Sequence, residues 1–345
     1  MKASGVGSRA AGVWSRLLQQ LFLICEKLCY GDRMSDGGYQ FCVLTSDGLS
    51  VEQAFEVFSY PMGDITVRRI PDTEPVFGAM HMLHVHRSAV DWTLVAEWAA
   101  LVEDLFPGQP RVLALPYLPS ARGDKDIPSP AVVNATLAAG TGITDIVTVD
   151  PHSPVWLAAM RAAGPGIREH VLPLADIVAA ALRADDDRVT HLGVISPDKG
   201  AVARATEVAT LLGAPVYVAS KNREPKTGRL THYSFDVELA PGNYLVVDDI
   251  CDGGGTFALL AGAVPDGVVL DLWVTHGGFT KPSYSAEARA PYRRIYTTDS
   301  LGTAVAAALH DNQIQVMALQ PWITDILAGL GAERAVRPVG VGENR

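Results

Sequence analysis

Two adjacent carboxylates followed by a glycine-rich turn are the residues of this chain best suited to chemistry. Asp248 and Asp249 follow the apolar run Tyr244–Val247, and the turn after them contains three glycines and a threonine. The continuous apolar run predicts a buried strand of a parallel sheet, and the apolar residues after the turn predict a helix. Backbone N–H groups at such a turn bind phosphate, while the carboxylates accept hydrogen bonds from sugar hydroxyls or bind a phosphate-bound Mg²⁺.

This turn differs from other glycine-rich turns in the order of its parts. No G-x-x-x-x-G-K-[ST] motif occurs in the chain, and the acidic pair precedes the glycines, so the turn is not a P-loop. A simpler alternative is an ordinary strand-to-helix turn capped by Asp252 or Thr256. A capping turn needs neither two adjacent carboxylates nor three consecutive glycines, so we predict a site for a phosphorylated sugar. The residues of that site are Asp248, Asp249, Asp252, Gly253, Gly254, Gly255 and Thr256.

A second candidate loop, Pro116–Asp126, follows another predicted strand and places two cations and two anions within five residues. Such a loop suits the phosphates of a nucleotide, and the alternative is a solvated charged turn. His152 lies just past a further predicted strand, beside Asp150. A histidine at the carboxyl end of a parallel strand is well placed to contact a metal or a substrate, so we prefer that interpretation to a structural histidine.

The segment 220–229 is basic, contains glycine and proline, and also follows a predicted strand. We predict a mobile flap in which Lys221 and Arg223 close over phosphates, because phosphoryl transfer depends on positioning and charge neutralisation. The alternative is a solvated loop.

The other histidines and the cysteines give weaker signals for a metal. Three histidines fall within six residues, but alternation along a strand explains two of them without a metal. The cysteines are too few and too irregularly placed for a disulfide framework and indicate a reducing compartment, so we expect a cytoplasmic protein. The residues concerned are His81, His84 and His86, and Cys25, Cys29, Cys42 and Cys251.

Positioning these loops requires an alternation of strands and helices, which the chain shows from Gln40 onward. The alternation predicts an α/β fold with mainly parallel sheets in right-handed βαβ units, in which ligands bind beyond the carboxyl ends of the strands. The predicted strands are 40–45, 64–69, 82–86, 111–116, 145–149, 191–195, 215–219, 244–247, 268–275, 294–297 and 314–318. The predicted helices include 91–106, 131–140, 174–183, 199–212, 254–263 and 322–330.

The chain has 345 residues, enough for about two domains, and its two halves share a similar plan. The predicted first domain is 38–173 and the second is 174–305, followed by a terminal strand and helix at 306–334 that return to the first domain and a loose tail at 335–345. Residues 1–33 form an N-terminal extension with an apolar helical face. We prefer a stretch upstream of a true start at Met34 to a transit-like or membrane-surface helix.

The charge balance limits the partners. The chain carries 28 basic and 38 acidic residues, for a formal net charge of −10, and this argues against nucleic acid and anionic membranes as partners. No apolar run approaches the roughly 18 residues that a membrane span requires. Anionic small molecules remain suitable ligands where local Lys and Arg hold them.

Taken together, these motifs resemble the ribose-phosphate diphosphokinase (phosphoribosyl diphosphate synthetase) family in order and spacing across most of residues 40–330. Leu115–Lys125 resembles the family's ATP loop, and Thr148–His152 resembles its metal-binding histidine motif. Ile195–Arg204 is similar to its strand–helix motif, Thr275–Gly277 to a late signature, and 248–256 to the sugar-phosphate loop shared with type I phosphoribosyltransferases.

The resemblance implies two similar type I phosphoribosyltransferase-like domains, each with a mainly parallel sheet flanked by helices. It also implies Mg²⁺ at His152 with Glu169 as a second, acidic contact, catalytic roles for Lys221 and Arg223, and a homo-oligomer that is a dimer or larger. The implied ATP contacts are Arg122 and Asp124, with Asp72 and Glu74 in a loop lent to the neighbouring subunit.

Some residues depart from the family pattern. Gly123 and Lys125 stand where the family prefers an amide and a second arginine, Ile70 replaces an aromatic residue, and Gly253 replaces a hydroxyl residue. These departures affect the acceptor sugar and the detailed nucleotide contacts.

The resemblance implies transfer of diphosphate from ATP to the anomeric hydroxyl of ribose 5-phosphate, giving AMP. No protein nucleophile is needed for this reaction, which fits the absence of a Ser-His-Asp or Cys-His arrangement. Three alternatives stay open: the same chemistry on ADP-ribose in NAD reconstitution, a phosphoribosyltransferase that consumes the sugar diphosphate, and a non-catalytic nucleotide-binding regulator of a partner.

Overall fold

The structure is a computed structural model that describes residues 38–223, 230–280 and 291–335. The described residues divide into two compact units. The first unit contains residues 38–172 and 319–335, and the second unit contains residues 173–318. The predicted N-terminal extension, most of the predicted flap and the predicted tail beyond residue 335 lie outside the described residues.

The first unit is built on a six-stranded sheet with the strand order β2-β1-β5-β6-β7-β8. Strands β5 to β8 run parallel, whereas β1 pairs antiparallel with both β2 and β5. A separate antiparallel hairpin is formed by β3 and β4. The strands are β1 (Tyr39–Thr45), β2 (Gly48–Val51), β3 (Phe55–Ser59), β4 (Ile65–Arg69), β5 (Met80–Val85), β6 (Arg111–Ala114), β7 (Asp145–Val149) and β8 (Arg168–Leu172).

The second unit is built on a seven-stranded sheet with the order β11-β10-β9-β12-β13-β14-β15. Every neighbouring pair is parallel except β10 with β11. The strands are β9 (Gly193–Ser196), β10 (Val216–Arg223), β11 (Leu230–Phe235), β12 (Gly242–Cys251), β13 (Val268–Gly277), β14 (Tyr292–Thr298) and β15 (Ile314–Met317).

Helices connect the parallel strands, and their ends follow local rules. Asp91 caps the first helix by accepting a hydrogen bond from the Thr93 amide at 2.9 Å, and Pro130 opens the second after a Ser129 cap. The helices are α1 (Trp92–Leu105), α2 (Pro130–Ala139), α3 (Val155–Ala163), α4 (Leu174–Ala184), α5 (Val202–Leu212), α6 (Gly255–Ala261), α7 (Gly302–Ala308) and α8 (Gln320–Ala335).

Each unit has its own apolar core. In the first, Trp98 and Trp156 are almost fully buried with strands β6 and β7, whose residues are inaccessible on both faces, as expected for parallel strands covered by helices. In the second, Tyr244 and Val246 of β12 pack with Leu272 of β13. Both sheets therefore fix the carboxyl ends of their central strands rigidly.

The C-terminal segment divides between the two units. Strand β15 pairs with β14 at the edge of the second sheet, whereas α8 contacts both edge strands of the first sheet, β2 and β8. Ile323 and Leu327 of α8 have no exposed surface. Helix α8 therefore belongs to the first unit and strand β15 to the second.

The α/β class with mainly parallel, helix-flanked sheets is confirmed. Strands β2, β3, β8 and β11 and helices α3 and α7 were not predicted from the sequence. Within the ranges that the structure describes, no helix has the length and apolar character needed to cross a membrane.

Candidate functional site

The predicted sugar-phosphate residues lie at the carboxyl end of β12 in the second unit. This strand continues four residues beyond the predicted end at Val247, because Asp248 pairs with Val274 and Cys251 with Gly277 of β13. Asp248 and Asp249 are therefore strand residues, and Asp249 is only 5% exposed. The sequence predicts a strand that ends at Val247, but pairing with β13 carries the strand past the acidic pair.

Both carboxylates contact the guanidinium of Arg204 on helix α5. The Arg204 Nη1 atom lies 2.7 Å from Asp249 Oδ1 and 3.4 Å from Asp248 Oδ1. Burial and the neighbouring charge of Asp249 raise the pKa of Asp248 well above its ordinary value, while Arg204 lowers it. The fold thus concentrates two carboxyl groups and one guanidinium at the strand end.

The glycine turn follows directly and is not a side-chain cap. Gly254 adopts a left-handed conformation with φ of 76°, which favours glycine, and no side chain caps α6. The Asp252 carboxylate instead accepts a hydrogen bond from the Thr280 hydroxyl at 2.5 Å, and the Thr280 amide donates to the Asp252 carbonyl at 3.0 Å. The capping alternative for Asp252 and Thr256 therefore has no support in the geometry.

The segment after β13 forms a second wall of this turn. The amides of Gly278 and Phe279 both donate to the Cys251 carbonyl, at 2.9 and 3.1 Å. Buried His276 contacts the Ser300 hydroxyl through Nδ1 at 2.9 Å, and that hydroxyl donates to the Thr275 carbonyl at 3.2 Å. The signature Thr275–Gly277 therefore holds the end of β13 beside the sugar-phosphate turn.

Lys221, predicted to be catalytic, lies in β10 and forms an ion pair with Asp198. Burial alone would raise the pKa of Asp198, but the hydrogen bond and charge of Lys221 lower it below its ordinary value. Asp198 also accepts from the Gly200 amide at 2.8 Å. The backbone of Arg223 ends β10, and the flap residues 224–229 lie outside the described residues.

In the first unit, the predicted nucleotide loop follows β6 and is anchored to the neighbouring strand and helix. The Thr148 hydroxyl donates to the Pro116 carbonyl at 3.0 Å, and the Trp156 indole donates to the Pro119 carbonyl at 3.1 Å. Beyond these anchors, Arg122 is exposed and Asp124 is half-buried. The base of the loop is fixed, while its charged residues face solvent.

His152 lies at the same end of the first sheet as this loop. It is half-buried and follows Asp150, a buried residue with a φ of 41° at the end of β7. The two predicted motifs of the first unit, the nucleotide loop and the histidine motif, are thus brought together by the anchors from Thr148 and Trp156.

Glu169 does not lie at that end of the sheet, and its role as a metal contact stays a prediction. Glu169 pairs in register with Ile146, whereas Leu172 is level with Val149, the last residue of β7. Three strand residues place Glu169 about 10 Å back from the strand end, and His152 lies beyond that end. Its carboxylate instead binds Arg161, with Oε2 and Nη1 at 2.8 Å.

Gly123 departs from the family pattern for a packing reason. A Cβ atom built at this position would lie 2.9 Å from Pro130 Cδ and 3.2 Å from Asp126 Oδ2. The loop therefore has no room for the amide side chain of the family unless Pro130 moves. Asp72 and Glu74 are exposed after the β3–β4 hairpin. Their expected role in a neighbouring subunit's site remains a prediction.

The histidine cluster of β5 belongs to the core rather than to the site. His81 is fully buried and stacks on Phe106 with ring centroids 4.3 Å apart, and burial lowers its pKa to about 4. Burial likewise holds the pKa of His84 well below its ordinary value. Among the described residues, no group of three or more His, Cys, Asp and Glu side chains could hold a metal ion.

Sequence reasoning missed several residues that shape the site. Arg204 and Asp198 both fall within the quoted motif Ile195–Arg204, which was the available signal. Thr280 and Ser300 gave none, because their roles depend on contacts between strands that are distant in sequence.

Comparisons with known proteins place this geometry in context. No family model matches the chain. Over 234 residues it is 26% identical to the ribose-phosphate pyrophosphokinase of Cereibacter sphaeroides, covering 64% of this chain and 66% of that protein. Over 197 residues it is 29% identical to the Maricaulis maris enzyme of the same name, covering 54% and 60%. The chain thus spans less than two thirds of the length of these two curated relatives.

The fold is also similar to a solved structure. The phosphoribosylpyrophosphate synthetase of Mycobacterium smegmatis superposes with a TM-score of 0.63 at 22% identity, covering 81% of this chain and 91% of that one. This likeness confirms the predicted fold, that of two phosphoribosyltransferase-like domains.

Proposed function

We propose that this chain, a divergent member of the ribose-phosphate diphosphokinase family, transfers the diphosphoryl group of ATP to the anomeric hydroxyl of a ribose phosphate. The products would be AMP and the sugar 1-diphosphate. The observation that carries the proposal is the end of β12, where buried Asp249 and partly buried Asp248 lie shortly before an uncapped glycine turn. That arrangement offers hydroxyl acceptors beside phosphate donors, as a sugar phosphate requires.

In this proposal the carboxylates orient the sugar. Asp248 and Asp249 accept hydrogen bonds from ring hydroxyls, and the backbone N–H groups of residues 253–256 donate to the 5-phosphate. Holding the sugar in one orientation aims its anomeric hydroxyl and removes much of the entropic cost of the reaction. No side chain needs to form a covalent bond with substrate.

Cations of the chain would neutralise the transferred group. Lys221 and Arg223 end β10 and lead into the flap, and Lys221 forms an ion pair with Asp198. A cation that moves from such a carboxylate to a phosphate acts mainly on charge that develops in the transition state. Arg122 and Asp124 of the first unit would bind the nucleotide.

The residues present fit a magnesium ion that arrives with the nucleotide. Mg²⁺ keeps several waters and takes only one or two protein ligands when phosphates supply the others, so a dedicated cluster of side chains is not needed. His152, half-buried beside the nucleotide loop, would hold it, without Glu169. When bound, the ion would neutralise the phosphate oxygens.

ADP-ribose is the second candidate acceptor, and one observation favours it. A Cβ atom built at Gly255 would meet no atom within 4 Å, so the turn has open space beside it. That space suits an acceptor whose 5-phosphate carries a further group. The replacement of a hydroxyl residue by Gly253 also removes one donor that a terminal phosphate would use.

Product analysis tests the proposal. The purified full chain is incubated with ATP, Mg²⁺ and either ribose 5-phosphate or ADP-ribose, and nucleotides are separated by chromatography with mass detection. We expect AMP and a sugar carrying two additional phosphates. Accumulation of ADP would indicate a plain kinase. Consumption of a sugar 1-diphosphate without ATP would indicate a phosphoribosyltransferase, and absence of any ATP consumption would favour a binding role.

A further inference from the structure

We propose that Arg204 is a positioning residue that orients the Asp248–Asp249 pair for the acceptor sugar. The proposal rests on the function proposed above, in which these carboxylates bind ring hydroxyls. Arg204 itself acts through the two carboxylates and is not assigned any contact with substrate.

The contacts are direct. A single guanidinium nitrogen, Nη1 of Arg204, lies 2.7 Å from Asp249 Oδ1 and 3.4 Å from Asp248 Oδ1. The Asp249 amide donates to Asp248 Oδ1 at 3.0 Å, which ties the two residues together. The Arg204 side chain is 10% exposed and those of the carboxylates are 16% and 7% exposed. Three charged groups are therefore held at fixed positions with little solvent around them.

The sheet topology explains how Arg204 reaches the pair. Strand β9 is the direct neighbour of β12, with Ile195 level with Val246. Helix α5 follows β9 and begins at Val202, so its first turn lies at the end of the sheet where β12 carries the carboxylates. Arg204 is the third residue of this helix and projects to the neighbouring strand end.

The position of Arg204 in the first turn of α5 is not favourable for a cation. A cation in the first turn of a helix faces the positive end of the helix dipole, which costs free energy. The two aspartates offset that cost, because an arginine held by buried carboxylates forms strong, directional hydrogen bonds. Arg204 is therefore stabilised by its contacts with Asp248 and Asp249 and not by its place in the helix.

The acidic pair needs such a partner to bind a sugar in one orientation. The side chains of two adjacent carboxyl groups can rotate independently, and the guanidinium of Arg204, in contact with both, holds them in one arrangement. The thiol of Cys251 is also near, but burial and the charges of Asp252 and Asp248 raise its pKa to about 12, so it stays neutral. Among the contacts that the structure records for Asp248, Arg204 is the cation.

Kinetics of Arg204 variants test the proposal. Arg204→Met removes the charge and keeps much of the side-chain volume, and Arg183→Met is the matched control, because Arg183 is exposed at the end of α4 in the same unit. We expect Arg204→Met to raise the KM for the acceptor about 30- to 100-fold. The KM for ATP should change by less than about threefold.

A conservative variant separates positioning from folding. Arg204→Lys keeps a cation, and we expect it to restore the acceptor KM to within about tenfold of wild type. If Arg204→Met does not fold, the lysine variant alone decides, since a selective rise in acceptor KM supports positioning. An acceptor KM equal to that of Arg183→Met, or equal effects on both substrates, would overturn the proposal.

Crystal structures keep this test independent of the proposed reaction. If the wild-type chain releases no AMP with either acceptor, the proposed function fails, and the structures of wild type and Arg204→Met decide the positioning role. We expect the Asp248 and Asp249 carboxylates to turn away from their wild-type orientation. Unchanged carboxylates in the variant would overturn the inference.

Discussion

The two units present their candidate binding residues in different ways. At the end of β12, Asp249 is buried, Asp248 is partly buried, and both contact Arg204. After β6 the base of the nucleotide loop is anchored through Pro116 and Pro119, but Arg122 remains exposed. One set of charged groups lies largely inside the fold, whereas Arg122 in the other lies at the surface.

The difference has an energetic consequence. The attraction between an exposed arginine and a phosphate is weakened by solvent. Interactions of the largely buried Asp248 and Asp249 are screened less, so the loss of these carboxylates should weaken ligand binding more. Substitutions at the end of β12 should therefore have larger effects than substitutions in the nucleotide loop.

The largest effect is expected from Asp248→Asn combined with Asp249→Asn. Loss of both carboxylates should lower turnover by roughly 1,000-fold or more, since both sugar contacts and the Arg204 pair are lost. Because Arg204 is left without its anions, stability should also fall by about 2 kcal/mol. AMP release and urea unfolding measure the two effects. Wild-type turnover in the folded double variant would refute the assignment of the site.

The next effect concerns the cations of β10. Lys221→Ala and Arg223→Ala should each lower kcat by roughly 100-fold while the dissociation constant for ATP changes little, as expected for charges that act in the transition state. Steady-state kinetics and calorimetric titration with ATP separate the two quantities. A defect confined to KM would assign the flap to binding alone.

A smaller effect is expected from the exposed loop. Arg122→Ala should raise the KM for ATP about tenfold, which corresponds to 1.4 kcal/mol, with kcat nearly unchanged. Arg161→Ala is a suitable control, because Arg161 is exposed and pairs with Glu169 on the same unit. A loss of activity in Arg122→Ala as large as that of the Asp248 and Asp249 double variant would contradict the distinction between buried and exposed charged groups.

The smallest effect is expected at Glu169, and it tests which of His152 and Glu169 contacts Mg²⁺. Glu169→Gln should leave the Mg²⁺ concentration dependence of AMP release unchanged, whereas His152→Asn should shift it to higher concentration. Loss of the Arg161 partner should change stability by less than about 1 kcal/mol, because the arginine is exposed. A shifted Mg²⁺ dependence in Glu169→Gln would restore this residue to the metal site.

The sequence predicted the class of fold and most central strands, because continuous apolar runs such as Val112–Leu115 are unambiguous. It did not predict β8, whose Arg168 and His170 are polar. Both bind the buried Asp145 of the neighbouring strand, at 2.7 and 2.9 Å. An edge strand held by ion pairs has no apolar period to detect.

The candidate site was likewise predicted only in part from the sequence. The glycine turn and its carboxylates were recognised from residue type and spacing, but the true end of β12 was not, since it depends on pairing with Gly277. The partner of the acidic pair was also missed, because Arg204 is 44 residues from Asp248 in the chain. Composition and spacing identify charged residues, whereas only the sheet order shows which charges meet.

Helix α8 has a consequence for the order in which the chain folds. A helix of 16 residues is about 24 Å long, which matches the roughly 24 Å between the outer strands of a six-stranded sheet. Contacts with both edge strands join the last described residues to strands that begin at Gly48 and Arg168. Residues 173–318 of the second unit are all synthesised before helix α8. The second unit can therefore fold first, whereas the first unit can be completed only after α8 has been synthesised.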